Sequence, residues 1–407
     1  MEKKRPIVYV TRDIERALGM EPSTDYMVIS NDTPYGKEVQ KQYPDFVHLI
    51  SSPNILETSE LLDHAEVIGL IKKHDADVVV FVNNPRIEKV ATKNSIKTIH
   101  PSSDLSSEVE GKISQIKWLG GLARYMPERK IGALKDFSYA ADYSGEPFVL
   151  QYNYSHTGEG TYLIDSAEKL AEHANKFPKR EARTLKFITG DTYTVNAVVN
   201  GETLVGNISL QITGVAPFTD LHYSTVGNDW AFAHTNLSPN EKDSINTMAR
   251  EIGAKLASQG WRGLFGIDVI KEKKTGKIYL IEINARQPAS AVYESALQEK
   301  AGSDMTIFKA HISALRKDKI SPASSQIKTI KEGAQIVQRV TKQHQEKSLS
   351  IDETKLATHD MKAVLYENTE PNSDYIRIYS PKGIMKSPNE LNSEGQFIAS
   401  CINPRIK

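Results

Sequence analysis

One stretch constrains the fold more than any other: Gly263 to Arg286, GLFGIDVIKEKKTGKIYLIEINAR. Two apolar, β-rich runs flank the polar segment Lys271–Lys277, which predicts a hairpin with strands near 264–272 and 277–285. In the second strand Tyr279, Ile281, Ile283 and Ala285 alternate with Leu280, Glu282, Asn284 and Arg286, so the two sets point to opposite faces. A three-residue loop, Lys274-Thr275-Gly276, with Gly276 in the left-handed region, would pair Lys273 with Lys277. Asp268 then falls opposite Glu282, and Gly266 opposite Asn284. Directly opposed carboxylates repel, and a bound cation removes that cost. The hard oxygen donors suit Mg²⁺, which takes one or two carboxylates plus substrate phosphates. On alternation alone, a half-buried hairpin with a merely solvated polar face fits equally well.

The 407 residues and 39% hydrophobic content describe a globular chain with length for two or three domains. Lys plus Arg equals Asp plus Glu, 51 each, which argues against a polyanionic partner such as nucleic acid. The single cysteine, Cys401, excludes a disulfide framework or cysteine metal cluster and is expected to be a buried or incidental thiol. The opening MEKKRPIVYVTRD has too short an apolar run for a signal peptide or membrane span, so a cytoplasmic protein is expected.

Strands are predicted at 6–10, 25–30 and 46–50, a helix at 61–73, a central strand at 76–83, a short helix from 84 and a strand at 97–100. This alternation predicts a parallel α/β unit. No Gly-x-Gly-x-x-Gly follows the first strand, so a dinucleotide site is not expected. Asn83, Asn84 and Arg86, at the end of the central strand, stand where open α/β sheets place ligands, although ordinary loop solvation also accounts for them.

Gly266-Ile267-Asp268 followed by Ile281-Glu282-Ile283-Asn284-Ala285-Arg286 resembles the catalytic end of the ATP-grasp superfamily. The resemblance implies an α/β (α+β) chain. A pre-ATP-grasp parallel domain would occupy 1–105. The ATP-grasp core would occupy 106–315, with a lid subdomain at about 140–208. A small β-rich C-terminal module, as in the biotin-carboxylase-like branch, would occupy 316–407. It also implies that Asp268, Glu282 and Asn284 bind Mg²⁺ (or Mn²⁺) with ATP, and that Arg286 is the catalytic contact to acyl phosphate or substrate. In the helix expected at 108–126, interrupted by Gly120-Gly121, Lys112 best matches the family's phosphate-binding lysine, with Lys117 as second choice.

Residues 147–161, PFVLQYNYSHTGEGT, read as a strand running into a glycine-rich turn. Its Thr157, Gly158, Gly160 and Thr161 resemble the flexible lid over the triphosphate, where glycines let backbone N–H groups approach phosphate oxygens. Gln151 stands where most of the family carries a lysine, which removes a charge from phosphate binding. Lys186 and Ile188, in Leu185-Lys186-Phe187-Ile188, match the positions whose backbone binds the adenine edge; an ordinary sheet edge is the alternative.

The segments 209–214 and 223–230 read as polar loops, 239–259 as an amphipathic helix ended by Gly260, and 333–340, 361–366 and 375–379 as strands of the C-terminal module. Arg262, just before the Asp268 strand, is a weaker candidate for phosphate or substrate contact. The resemblance implies an ATP- and Mg-dependent ligase that activates a small-molecule carboxylate as an acyl phosphate for attack by an amine or related nucleophile. The alternatives are an ATP-binding protein with weak or lost ligase activity, or a carboxylase-type subunit working with a separate carrier. No nucleic-acid or membrane partner is expected, and a homodimer is left open.

Overall fold

The computed structural model describes residues 4–153, 160–320, 326–342, 348–366 and 368–405. The chain opens with four short, largely apolar strands, Ile7–Val10, Tyr26–Asn31, Val47–Ile50 and Asp77–Val80. They pair in parallel in the spatial order third, second, first, fourth. Helices cover both faces, which is what near-continuous apolar strands require. Pro34–Gln42 starts at Thr33, whose hydroxyl accepts from Gly36 N, and Pro85–Lys93 starts at Asn84, whose side chain accepts from Ile87 N. Proline at the first turn costs neither helix a hydrogen bond. One sheet face packs on Val67, Ile71, Ile87 and Ala91. The other takes Phe308, Ile312 and Leu315 from the distant helix Ile307–Leu315, which locks this unit to the rest of the chain. The strand expected at 97–100 reduces to a single bridge, Thr98 to Val78.

A four-stranded antiparallel sheet follows, ordered Arg129–Ala133, Glu181–Lys186, Phe148–Gln151, Thr161–Ile164. It carries its own core of Leu134, Phe148, Leu150, Ile164, Leu170 and Ala182.

The third sheet has eight strands, all pairing antiparallel. From its edge the order is Ile278–Asn284, Gly263–Glu272, Gly190–Asn200, Glu202–Thr213, Thr225–Asp229, Ala334–Arg339, Asp374–Ser380 and Lys362–Leu365. The helix Pro239–Ser258 opens with a Ser238–Glu241 capping box and buries Ile245, Met248, Ile252 and Leu256 under this sheet. The polar segments 209–214 and 223–230, expected as loops, are largely strand: Glu202–Thr213 and Thr225–Asp229 both belong to the sheet. Their polar residues pair across it, Asn228 donating to Ser209 and accepting from Gln335. The strands expected after residue 333 form, and they extend the central sheet. Asp229 fastens that junction by accepting from Phe232 N at 2.8 Å, Ile384 N at 2.7 Å and Met385 N at 2.9 Å. Among the described residues no helix is long and apolar enough to cross a membrane.

Candidate active site

The hairpin forms from Gly263–Glu272 and Ile278–Asn284, with Gly266 opposite Asn284, Ile267 opposite Ile283, and Asp268 opposite Glu282. The route to that register differs from the expected one. The turn pairs Glu272 with Lys277, Glu272 N donating to Lys277 O at 2.9 Å, one residue off the expected Lys273–Lys277 pair. A bulge between Asp268 and Val269 then shifts the register back, so Val269 faces Leu280 and Ile281 is the extra residue. Side-chain alternation consequently changes phase: Ile278 and Leu280 are buried before the bulge, Ile283 and Ala285 after it, and Leu280 does not share a face with Glu282.

Asp268 is held from both neighbouring strands. Thr194 Oγ1 donates to its Oδ1 at 2.6 Å, and Asn284 Nδ2 donates to its Oδ2 at 3.2 Å. Arg286 Nη2 donates to Asn284 Oδ1 at 2.8 Å, and Arg286 Nε lies 3.3 Å from Glu110 Oε1. Burial, and then the Glu282 charge, raise the Asp268 carboxyl to a pKa of about 6. Glu282 is also pushed up by burial, but Lys112, Arg286 and Arg183 outweigh it and leave its carboxyl below the usual value.

Lys112 reaches Glu282 Oε1 at 2.5 Å. It does not begin a continuous helix. The expected 108–126 helix is three pieces, Ser103–Glu110, Ser114–Leu119 and the 3₁₀ turn Gly120–Tyr125, with Lys112 in the first break. Gly120, at φ +55°, makes the second break. The first is clamped by Asn153, whose O accepts from Lys112 N at 3.0 Å and whose Oδ1 accepts from Ile113 N at 2.9 Å. Ser106 Oγ donates to Ala285 O at 2.7 Å, tying the first helix to the end of the hairpin. Lys112 is 5% exposed; its chemistry is therefore reserved for this pocket. Lys117 is outside the buried set.

Gln151 ends the strand Phe148–Gln151, and its Nε2 donates to Thr161 Oγ1 at 3.2 Å. Gly160 has φ +77°, and its O accepts from Tyr152 N. Thr157 and Gly158 lie outside the described residues. Ile188 is 8% exposed. Lys186 is not gathered at the carboxylates: its ammonium pairs with Glu146 at 2.9 Å and its N–H donates to Glu128 O. Asn83 and Asn84 serve the scaffold. Asn83 Nδ2 donates to Glu88 and to Pro101 O, and Asn84 caps its helix.

A cleft of about 900 Å³ lies elsewhere, lined by Lys4, Arg5, Asp75, Asp77, Arg262 and Asp318 among others. Its carboxylates already carry cations, Arg5 on Asp75 and Asp77, Lys97 on Asp77, Lys4 on Asp318. It touches none of the hairpin's acidic residues, so the site is not placed there; Arg262 lines this cleft and also a small cavity that it shares with Arg286 and Asn83.

The ATP-grasp domain family matches residues 109–290, a span that begins just before Lys112 and ends just after Arg286. The chain carries an ATP-grasp domain. Solved structures extend the likeness in fold beyond the ATP-grasp domain to the whole chain. The N5-carboxyaminoimidazole synthase of Aspergillus clavatus, in complex with ADP and 5-aminoimidazole ribonucleotide, is 16% identical with a TM-score of 0.62, covering 95% of this chain and 96% of that one. The L-amino acid ligase of Bacillus licheniformis is 13% identical at 0.62, covering 100% of both chains. Pyruvate carboxylase of Rhizobium etli is 15% identical at 0.65, covering 98% of this chain and 37% of that one. No curated protein sequence matches the chain.

Around the ATP-grasp hairpin the structure adds Thr194, Glu110 and Arg183 to the residues read from sequence. Each contact crosses from another element. Thr194 stands opposite Asp268 in the sheet, and Arg183 stands opposite Gln151. Only strand order reveals such neighbours. The single local signal is a charged residue, Arg183, inside a strand whose middle, Ala182 to Leu185, is buried.

Proposed function

We propose that the protein is an ATP-dependent, ADP-forming ligase that joins a small-molecule carboxylate to an amine or related nucleophile. The observation that carries this reading is the pairing of Asp268 with Glu282 beside Asn284 and Arg286, on a hairpin inside an ATP-grasp domain. Asp268, Glu282 and Asn284 would hold Mg²⁺. The fit rests on the donor set, hard oxygens with two crowded carboxylates, one of them already covered by a lysine cation. Among the described residues no three His, Cys, Asp or Glu side chains are grouped to hold a metal. Bound there, Mg²⁺ would neutralise phosphate charge.

In this reading the γ-phosphoryl group of ATP passes to a carboxylate oxygen, giving an acyl phosphate and ADP. The nucleophile attacks the acyl carbon, and phosphate leaves. Arg286 offers a planar fork to the phosphate or carboxylate, oriented by Asn284 and Glu110. Lys112, freed from Glu282, would add a second cation on the phosphate side. In this reading Gly160 and Thr161 would stand at one end of the lid that excludes water.

The test is ADP release by purified protein with ATP, Mg²⁺ and a panel of carboxylates, bicarbonate and amino acids included, against a panel of amines. Substrate-dependent ADP release that is lost in Glu282→Gln supports the ligase. ATP binding without ADP release under any pairing supports the nucleotide-binding alternative. Full turnover by Glu282→Gln overturns the site.

A further inference from the structure

Arg183 is wholly buried in the strand Glu181–Lys186, directly across from Gln151. Its Nε and Nη2 donate to Gln151 Oε1 at 3.1 and 2.6 Å, and its Nη1 donates to Gln115 Oε1 at 3.3 Å. Both acceptors are neutral amides. Among the described residues Arg183 forms no ion pair, whereas Lys112 and Arg286 nearby each have a carboxylate. A buried charge with no carboxylate in direct contact is costly, and an arginine does not escape the cost by losing its proton; Glu282 acts on it only from a distance. Burial brings its pKa down to about 10, while the Glu282 charge pulls the other way.

A guanidinium has donors and no acceptor. Gln151 must therefore turn its oxygen toward Arg183, and its N–H₂ faces the other way, onto Thr161 Oγ1. Gln115 is turned by the same logic, its Nε2 donating to Val109 O at 2.9 Å. Gln115 lies three residues after Lys112, which reaches Glu282, and Arg183 itself acts on the Glu282 charge, so this assembly stands beside the acidic hairpin. The result is a fixed positive charge backing two oriented amides. One amide points its donors at Thr161, which starts the strand Thr161–Ile164.

We propose that Arg183 is a positioning residue for the polyphosphate of a nucleoside di- or triphosphate, acting through Gln151. Its charge reaches the anion through a low-dielectric layer, and its grip on Oε1 keeps the Gln151 N–H₂ aimed outward. The inference rests on the nucleotide-site reading above, and it moves the cationic part of phosphate recognition from Gln151 to the neighbouring strand.

Calorimetric titration of MgADP and of adenosine into wild type, Arg183→Met and Arg183→Met/Gln151→Lys tests it. Arg183→Met should weaken MgADP by about tenfold or more and leave adenosine unchanged. The double variant, which returns a cation to the strand, should recover most of the loss. Gln151→Glu guards against a misfolded Arg183→Met: pairing the buried cation should raise Tm by roughly 2–4 °C while MgADP affinity falls. MgADP affinity in Arg183→Met within threefold of wild type, no recovery in the double variant, or a lower Tm in Gln151→Glu each overturns the inference alone. Absence of MgADP binding by the wild type overturns the nucleotide-site reading and this inference with it.

Discussion

Lys112 Nζ lies 2.5 Å from Glu282 Oε1, so a lysine ammonium covers one of the two carboxylates that face each other on the hairpin. The lysine comes from a break between helices and the glutamate from an edge strand. The pair therefore fastens two elements and also sets the charge that an incoming cation meets. In the proposed ligase, Glu282 would hold a divalent ion, and Lys112 would then be free to serve the phosphates.

Removing that ammonium leaves Glu282 opposed to Asp268 with only arginines near it. Lys112→Met should lower stability by about 1.5–3 kcal/mol, the usual cost of losing a hydrogen bond to a charged group. Millimolar MgCl₂ should restore part of it by supplying another cation. Thermal melts with and without Mg²⁺ check this; an unchanged Tm contradicts the assigned role.

The Asp268 carboxyl, raised from 3.8 to about 6, gives a pH signature of definite sign. The fold favours its protonated form. That stabilisation is fully present below the ordinary carboxyl value and is lost as pH rises through about 6, amounting to about 3 kcal/mol. Metal binding needs the ionised form, so MgADP affinity should climb by up to tenfold per pH unit from pH 5 to about 6 and level off above it. Asp268→Asn should flatten both dependences. Urea melts across pH 3.5–7 and titrations across pH 5–8 measure them, and an identical slope in the variant rules the assignment out.

Gly263 begins the strand that carries Asp268, at φ +92°. A Cβ there would stand 2.6 Å from His311 Nδ1, the atom that accepts from Leu264 N at 3.0 Å. Gly263→Ala combines backbone strain with this clash and should cost about 1–3 kcal/mol in urea denaturation. A cost under about 0.5 kcal/mol would mean that the strand start readjusts freely.

Asp229 binds three backbone N–H groups, two of them at Ile384 and Met385 near the end of the chain. Asp229→Ala strands these donors and should destabilise by at least about 3 kcal/mol. Limited proteolysis should then cut first after residue 380, where the tether is lost. Cleavage spread evenly along the chain would refute the tether.

The hairpin was legible because its information is local: alternation, turn glycine and four polar residues at fixed offsets lie within one stretch. The parallel unit was legible for the same reason, as runs such as Ala76–Val82 carry only one interpretation. What escaped depends on partners distant in sequence. The strands Glu202–Thr213 and Thr225–Asp229 end in polar residues because polar side chains meet one another across the sheet, and periodicity records nothing of that. Arg183 behind Gln151, and Thr194 on Asp268, follow from strand order alone. The helix expected through Lys112 failed where Asn153 captures two backbone N–H groups, an interaction no helical propensity anticipates.

The bulge at Ile281 divides the hairpin into two independently indexed halves. The turn half is set by Glu272 and Lys277, the acidic half by the neighbouring strand through Thr194. The joint works like a vernier: a one-residue offset at the loop is taken up before it reaches Asp268. Loop length at Lys273–Gly276 is thereby uncoupled from carboxylate spacing, and the turn is free to diverge, lengthen or accept a graft while Asp268, further along the same strand, keeps its alignment with Glu282.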